Sequence, residues 1–277
     1  MDNPNICFIG CGNMGQSLIG GLIANGQAPE RIHGADPDTA KQQLLRQKYG
    51  ITVHADNTSA VEQAEVVILA VKPQVLLQTL TDISAPIKDR SLLTISIAAG
   101  IRSSALEAVL GKNLPIVRVM PNTPALIQAG TSALYANAAV TESQRELAEA
   151  IMRSVGLALW LEDESLMDTV TAVSGSGPAY FFLIMEIMEK AAVKLGLPVD
   201  QARLLTLETA FGAAKMALES EADAATLRQQ VTSPGGTTEQ ALQILMDKGN
   251  IEQLFLEALT AAKQRSEQLA EAAEGPA

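Results

Sequence analysis

Ile6-Cys7-Phe8-Ile9-Gly10-Cys11-Gly12-Asn13-Met14-Gly15 decides how the rest of the chain is read. The four apolar residues at its head predict a short buried strand running to Gly10, and Leu18, Leu22 and Ile23 place an apolar stripe on the helix that follows. Between strand and helix lie three glycines. Gly10 permits the tight turn, Gly12 lets backbone approach a pyrophosphate, and Gly15 allows helix and strand to touch, while the free N–H groups of the helix start attract the phosphates. The plainer alternative is a glycine turn that only joins two packed elements. Strand, turn, helix and second strand arriving in order favour a dinucleotide site.

Asp36 closes the second run, Arg31–Asp36, roughly twenty positions after Gly15, where an acidic side chain commonly accepts hydrogen bonds from the adenosine ribose. A carboxylate there repels a 2′-phosphate, and no Arg follows in Asp36-Pro37-Asp38, which argues for NAD. Asp36 serves equally well as the cap of the next helix, with Pro37 at its first position, and both readings stand.

Further β-type runs alternate with helical patterns at Ile51–His54, Val66–Val71, Leu92–Ile97 and Ile116–Met120, with weaker ones near Thr131–Tyr135 and Gly156–Leu161. That alternation predicts α/β architecture with a Rossmann-type, doubly wound parallel sheet. Thr141-Glu142-Ser143-Gln144 has capping-box spacing and opens a helix reaching about Val155. From about Leu166 the strand pattern stops and Ala/Leu/Met-rich helical segments take over, so residues 1–164 are expected to form the dinucleotide-binding domain and 165–277 an all-helical domain. Pro178 to Leu195 is apolar on nearly every face, which predicts burial between two subunits. In the last helix Ile251, Leu254, Phe255, Ala258, Leu259 and Ala262 share a face, and the tail from Ala270 is expected to fray.

A chain of 277 residues suits two moderate domains, and 47% hydrophobic with only 3% aromatic residues means a core of Ala, Val, Ile and Leu. The formal charge of -11 argues against a nucleic-acid partner, which would require clustered Lys and Arg. Runs such as Val66–Val71 are too short to span a bilayer, and the start lacks a signal-peptide pattern, so a cytoplasmic protein without a membrane partner is expected. Cys7 and Cys11 match neither a zinc pattern nor a CxxC pair; they are read as reduced bystanders, with no metal site.

Four further segments complete the pattern: Ala70-Val71-Lys72-Pro73, Met120-Pro121-Asn122-Thr123-Pro124-Ala125, Ser174-Gly175-Ser176-Gly177-Pro178-Ala179 and Ser233-Pro234-Gly235-Gly236-Thr237-Thr238. Together with the glycine turn they resemble the pyrroline-5-carboxylate reductase family over essentially the whole chain, and the Ser-Pro-Gly-Gly-x-Thr element is the most specific part of the match. The resemblance implies reduction of 1-pyrroline-5-carboxylate to L-proline, the last step of proline biosynthesis, with NADPH or NADH as hydride donor; the homodimer through the helical domain is expected from the apolar Pro178–Leu195 segment, with a larger ring of dimers left open.

In an open α/β sheet the ligand sits beyond the strand carboxyl ends. Ala70, Val71, Lys72 and Pro73, and Met120, Pro121 and Asn122, are placed there to join Gly10, Cys11, Gly12, Asn13, Met14, Gly15 and Asp36 around the cofactor, with Pro73 and Pro121 ending strands rigidly. Lys72 reaches a cofactor phosphate or is merely solvated; Asn122 contacts the nicotinamide ribose or amide, or merely stabilises its own turn. The resemblance carries substrate contact onto Ser233 and Thr238 as the catalytic pair, with Thr238 orienting or protonating the ring nitrogen. Gly235, Gly236 and Thr237 form an expected anion-binding turn, the alternative being a helix cap in which Thr237 and Gln240 make a capping box. Ser174, Gly175, Ser176, Gly177 and Pro178 are expected to line the same pocket, or to be only a domain junction.

Two rival readings remain. A β-hydroxyacid-dehydrogenase-like enzyme needs a lysine base, but the first lysine after Ser174–Gly177 is Lys190, three turns along an apolar helix, and His33 and His54 fall in or near strands. A non-catalytic nicotinamide sensor would have no use for the second set of small polar turns.

Overall fold

The computed structural model of the chain describes residues 3–274. The first strand, β1 (Ile6–Ile9), is followed by α1 (Asn13–Ala24), β2 (Ile32–Ala35), α2 (Thr39–Tyr49), β3 (Thr52–His54), α3 (Asn57–Val61) and β4 (Val66–Leu69). Next come α4 (Pro73–Asp82), α5 (Ser84–Arg90), β5 (Leu93–Ser96), α6 (Ser103–Leu110), β6 (Ile116–Met120), β7 (Gly130–Ala136), α7 (Glu142–Arg153), β8 (Gly156–Trp160) and α8 (Leu166–Val170). Among the described residues, all eight strands join one sheet in the order β3-β2-β1-β4-β5-β6-β7-β8. Alternation along β1 explains why both faces are filled: Ile6 and Phe8 enter the core layer that holds Leu18, Ile19 and Ile68, while Cys7 and Ile9 enter the opposite layer with Val67, Leu76 and Leu106.

The sheet is not wholly parallel. β7 runs antiparallel to β6, because only a short 3-10 turn, Thr123–Ile127, joins them and a parallel return needs a crossover of a dozen residues or so. The expected capping box at Thr141 is present: its side chain accepts from Gln144 N, and the Gln144 side chain accepts from Thr141 N at 3.0 Å.

After α8, a π-helical turn at Thr171–Gly175 leads into α9 (Gly177–Lys194), then α10 (Val199–Glu219), α11 (Ala224–Gln230), α12 (Thr237–Gln243), a second π-helical turn at Ile244–Lys248 and α13 (Ile251–Glu274). The chain forms two compact units, one built from the segment up to Ser176 together with everything from Ala262 onward, the other from Gly177–Ala261. The 164/165 boundary expected from the change of pattern therefore does not coincide with the packing. The tail also departs from expectation, since α13 continues to Glu274; residues 275–277 lie outside the described residues. Ser266 and Ala270 are buried, the Ser266 hydroxyl donates to Asp168 Oδ1 at 2.6 Å, and Leu269 Cβ stands 3.2 Å from where a Cβ on Gly100 would be. Small residues on that face let the last helix lie close against the first unit.

The second unit leaves much apolar surface uncovered. Phe181 is 64% and Phe182 63% exposed, and Leu183, Ile187, Leu204, Phe211, Leu254 and Leu256 are exposed as well. The helical run Leu166–Lys194 is long and apolar enough, by length and composition, to cross a membrane.

Candidate active site

The strand order reverses between β1 and β4, and a crevice opens beyond the carboxyl ends of two strands at such a point. Gly10 makes the turn there with φ +89°, and a Cβ on it would stand 2.8 Å from Val71 Cγ1 and 2.9 Å from the Ala70 carbonyl oxygen. The glycine turn and Ala70-Val71-Lys72-Pro73 are therefore in direct contact, as the site requires. A Cβ on Gly15 would lie 2.9 Å from the Gly10 carbonyl oxygen, so helix and turn also touch. Gly12 differs: nothing stands within 4 Å of a Cβ placed there, and as N-cap of α1 it leaves the leading N–H groups without a side-chain cap. Open space beside free backbone donors is the cradle a pyrophosphate fills. Asn13 is exposed, while Met14 packs against the core and offers only backbone. Lys72 is exposed at the N-cap of α4, and Pro73 opens that helix instead of ending β4, which stops at Leu69.

Asp36 is not the cap of α2. Asp38 is, accepting from Ala40 N and Lys41 N, and Pro37 lies outside the helix. Asp36 is buried, its Oδ2 accepting the Cys11 N–H at 3.2 Å and its Oδ1 the Asp38 N–H at 3.0 Å. Lys41, a residue the sequence reading passed over because it sought a cation immediately after Asp36, places Nζ 3.6 Å from Asp36 Oδ2. Burial, and then the Asp36 carboxylate, push the Cys11 thiol up to about 12, and burial raises Cys7 as well. Both thiols are protonated and unreactive at neutral pH. His33 is buried with its Nδ1 3.1 Å from His54 Nε2. Burial, and then His54, hold His33 below the ordinary histidine range, so His33 is neutral at neutral pH.

At the carboxyl end of β6 the side chains cluster differently from the expectation. The Asn122 amide is already engaged: Nδ2 donates to the Ser174 carbonyl at 3.1 Å and Oδ1 accepts from Thr131 N at 2.8 Å. Met120 packs on Gly175, where an added Cβ would overlap its methyl group. The Ser174–Gly177 stretch is not a glycine-rich loop but the π-helical turn and its exit, and the Ser176 N–H is spent on the Thr171 carbonyl at 2.8 Å. Pro178 sits in the first turn of α9, where its missing N–H costs nothing. Arg118 on β6 is ion-paired with Glu164, which also accepts from the Ser103 N–H at 2.7 Å and from the Ser103 hydroxyl. Burial opposes the charged form of Glu164, but the Ser103 hydrogen bonds and the Arg118 guanidinium outweigh it and hold the carboxyl below its usual range. A cavity of about 410 Å³ lined by Thr131, Leu159, Leu166, Val170, Val173 and Ser174 opens beside this cluster, not over the glycine turn.

In the second unit Ser233 and Pro234 lead into Gly235, whose φ of +72° makes the turn, and Gly236 is the N-cap of α12 without a side-chain cap. The Thr237–Gln240 capping box does not form. Glu239 instead accepts the Gly235 N–H at 2.8 Å, a partner the sequence reading missed although an acidic side chain four residues on is the signal for it. Ser233 is exposed and Thr238 half-buried at the start of the helix.

The family model described as "Pyrroline-5-carboxylate reductase dimerisation" matches residues 164–269, and one described as "NADP oxidoreductase coenzyme F420-dependent" matches residues 5–100. A pyrroline-5-carboxylate reductase of Pseudomonas aeruginosa is 50% identical over 271 residues, covering 98% of each chain. The solved structure of such a reductase from Coxiella burnetii is 45% identical with TM-score 0.93, covering 97% of this chain and 99% of that one. The Plasmodium falciparum pyrroline carboxylate reductase, crystallised with NADP bound, is 30% identical with TM-score 0.87 over 98% and 99% of the two chains.

Proposed function

The chain belongs to the pyrroline-5-carboxylate reductase family, and we propose from this membership and from its site that it reduces the C=N bond of 1-pyrroline-5-carboxylate to give L-proline, with NADPH or NADH as hydride donor. The observation that carries the reading is the open cradle at Gly12, flanked by Ala70–Pro73 at the reversal of strand order. The bound nicotinamide supplies the hydride, and the chain supplies the positions. Gly10, Gly12 and Gly15 bring backbone to the pyrophosphate, with Cys11, Asn13 and Met14 offering main-chain groups; Asp36 braces the turn from below; Lys72 stands free for a phosphate; Val71, Pro73, Met120 and Pro121 border the nicotinamide end.

Ser233 and Thr238 are the proposed substrate contacts, with Gly235, Gly236 and Thr237 in the same turn; Ser174, Gly175, Ser176, Gly177 and Pro178 are further proposed substrate-binding residues. Hydride adds to the imine carbon and a proton to the nitrogen, so the Thr238 hydroxyl has to orient the ring nitrogen, and solvent can deliver the proton. A second copy of the chain is the proposed partner. Its apolar helices would cover the exposed Phe181 and Phe182. Two unpaired buried thiols suit a reducing compartment, and the cytoplasm is the proposed location.

Following cofactor absorbance with and without the cyclic imine tests the activity. Oxidation is expected only with imine present, together with equimolar proline, and Thr238→Ala is expected to lose most turnover. A chain that binds cofactor yet never oxidises it would be a sensor instead. Alcohol oxidation is disfavoured by Lys190, which is exposed and ion-paired with Glu186.

A further inference from the structure

Asn122 follows Pro121 at the end of β6 and is buried, and its two hydrogen bonds join elements far apart in sequence. Its carbonyl holds the N–H of Thr131 in β7, and its N–H holds the carbonyl of Ser174 in the π-helical turn. One ion pair and one packing contact also run from β6 to the stretch between Glu164 and Gly175. Arg118 pairs with Glu164 at its start, and Met120 covers Gly175 at its end. A lone π-helical turn is an irregular piece of helix, and such turns persist where surrounding structure holds them.

We propose that Asn122 is a positioning residue of the reductase, a two-armed strap that sets where the Ser174–Ser176 stretch stands relative to the nicotinamide-bordering end of β6. The proposal rests on the reading that this segment binds substrate. It also assigns Asn122 a role other than direct cofactor contact, because its carbonyl and one N–H are already spent within the chain. The Arg118–Glu164 pair anchors the segment ten residues upstream, so loss of the Ser174 arm alone frees the π-helical turn without releasing α8.

The arms can be separated by substitution. Asn122→Asp keeps an oxygen for the Thr131 N–H but turns the other toward the Ser174 carbonyl as a second acceptor, whereas Asn122→Leu removes both arms at similar volume. Gly175→Ala pushes the same turn from the Met120 side and provides an independent perturbation if either Asn122 variant folds poorly. In Asn122→Asp and Gly175→Ala, kcat/KM for the imine is expected to fall about tenfold, while cofactor affinity stays within about twofold of the wild type. Hydrogen exchange in Asn122→Asp should quicken at Ser176, whose N–H closes the turn, and stay slow at Thr131; in Asn122→Leu it should quicken at both. Cofactor affinity falling as far as the imine constants would make Asn122 a cofactor ligand and overturn the proposal, as would unchanged imine constants and unchanged Ser176 exchange in Asn122→Asp. Should the wild type not reduce the imine, the functional reading fails on its own; faster Ser176 exchange in Asn122→Asp would still uphold the strap, and unchanged exchange would end it.

Discussion

Asp36 reaches back across the end of the sheet to Cys11, its carboxylate accepting the backbone N–H of the second residue of the glycine turn at 3.2 Å. The side chain that sequence convention assigns to the ribose therefore also braces the pyrophosphate loop, with Lys41 beside it. Asparagine removes the charge and keeps one of the two oxygens that accept the Cys11 and Asp38 N–H groups, so part of the brace goes with the charge, and the ratio between two cofactors is the readout that isolates the electrostatic role. Asp36→Asn should raise the ratio of kcat/KM for NADPH over NADH about tenfold, since like-charge juxtaposition with a 2′-phosphate disappears. Side-by-side initial rates check this, and an unchanged ratio would leave Asp36 as a brace only.

Gly12 has an ordinary φ of -71° and empty space where a Cβ would go, so Gly12→Ala should leave the unfolding temperature unchanged. Cofactor affinity should nevertheless fall at least about tenfold, because the methyl group occupies the approach to the pyrophosphate. Gly10→Ala should behave oppositely and destabilise the fold, since its φ of +89° and the nearby Ala70 backbone exclude a side chain. Thermal melts with cofactor titrations distinguish the two.

The Arg118–Glu164 pair is nearly dry, with side chains 9% and 22% exposed. Glu164→Gln leaves the guanidinium buried without its counter-charge and should cost about 3 kcal/mol at pH 7. The Glu164 carboxyl is held below its ordinary range when folded, so its contribution is fully present above the unfolded glutamate pKa of about 4.3 and disappears as pH falls through the lower folded value. Urea denaturation of wild type and variant should begin to converge as pH falls below about 4.3 and merge only below the lower folded value; a gap that stayed constant throughout that descent would contradict the ion-pair account.

Phe181 and Phe182 project from α9 with nearly two thirds of their surfaces exposed. If a second copy covers them, Phe181→Glu with Phe182→Glu should convert the protein to monomer in sedimentation experiments and abolish turnover, while Trp160, the sole tryptophan, keeps its fluorescence because Glu149 and Arg145 hold it within the first unit. A wild type that sediments as a monomer, or partitions into lipid vesicles, would refute the homodimer.

Local pattern was enough for the strands, the glycine turn and the Thr141 cap, because alternation, φ preference and capping each depend on neighbours a few residues apart. Ile116–Met120 was legible to the residue for that reason. What only folding decided is the use of each polar side chain. Asp36 finds Cys11 25 positions away, Asn122 finds Ser174 52 positions away, and Ser266 finds Asp168 98 positions away, in each case through the packing of elements whose mutual placement no short window encodes. The same holds for the antiparallel turn of β7 and the return of α13 to the first unit. The amino-acid order thus determined which chemical groups lie at the strand ends; the tertiary structure decided which of them remain free for a ligand and which are spent holding the site together, because a hydrogen bond satisfied inside the protein is no longer on offer to anything else.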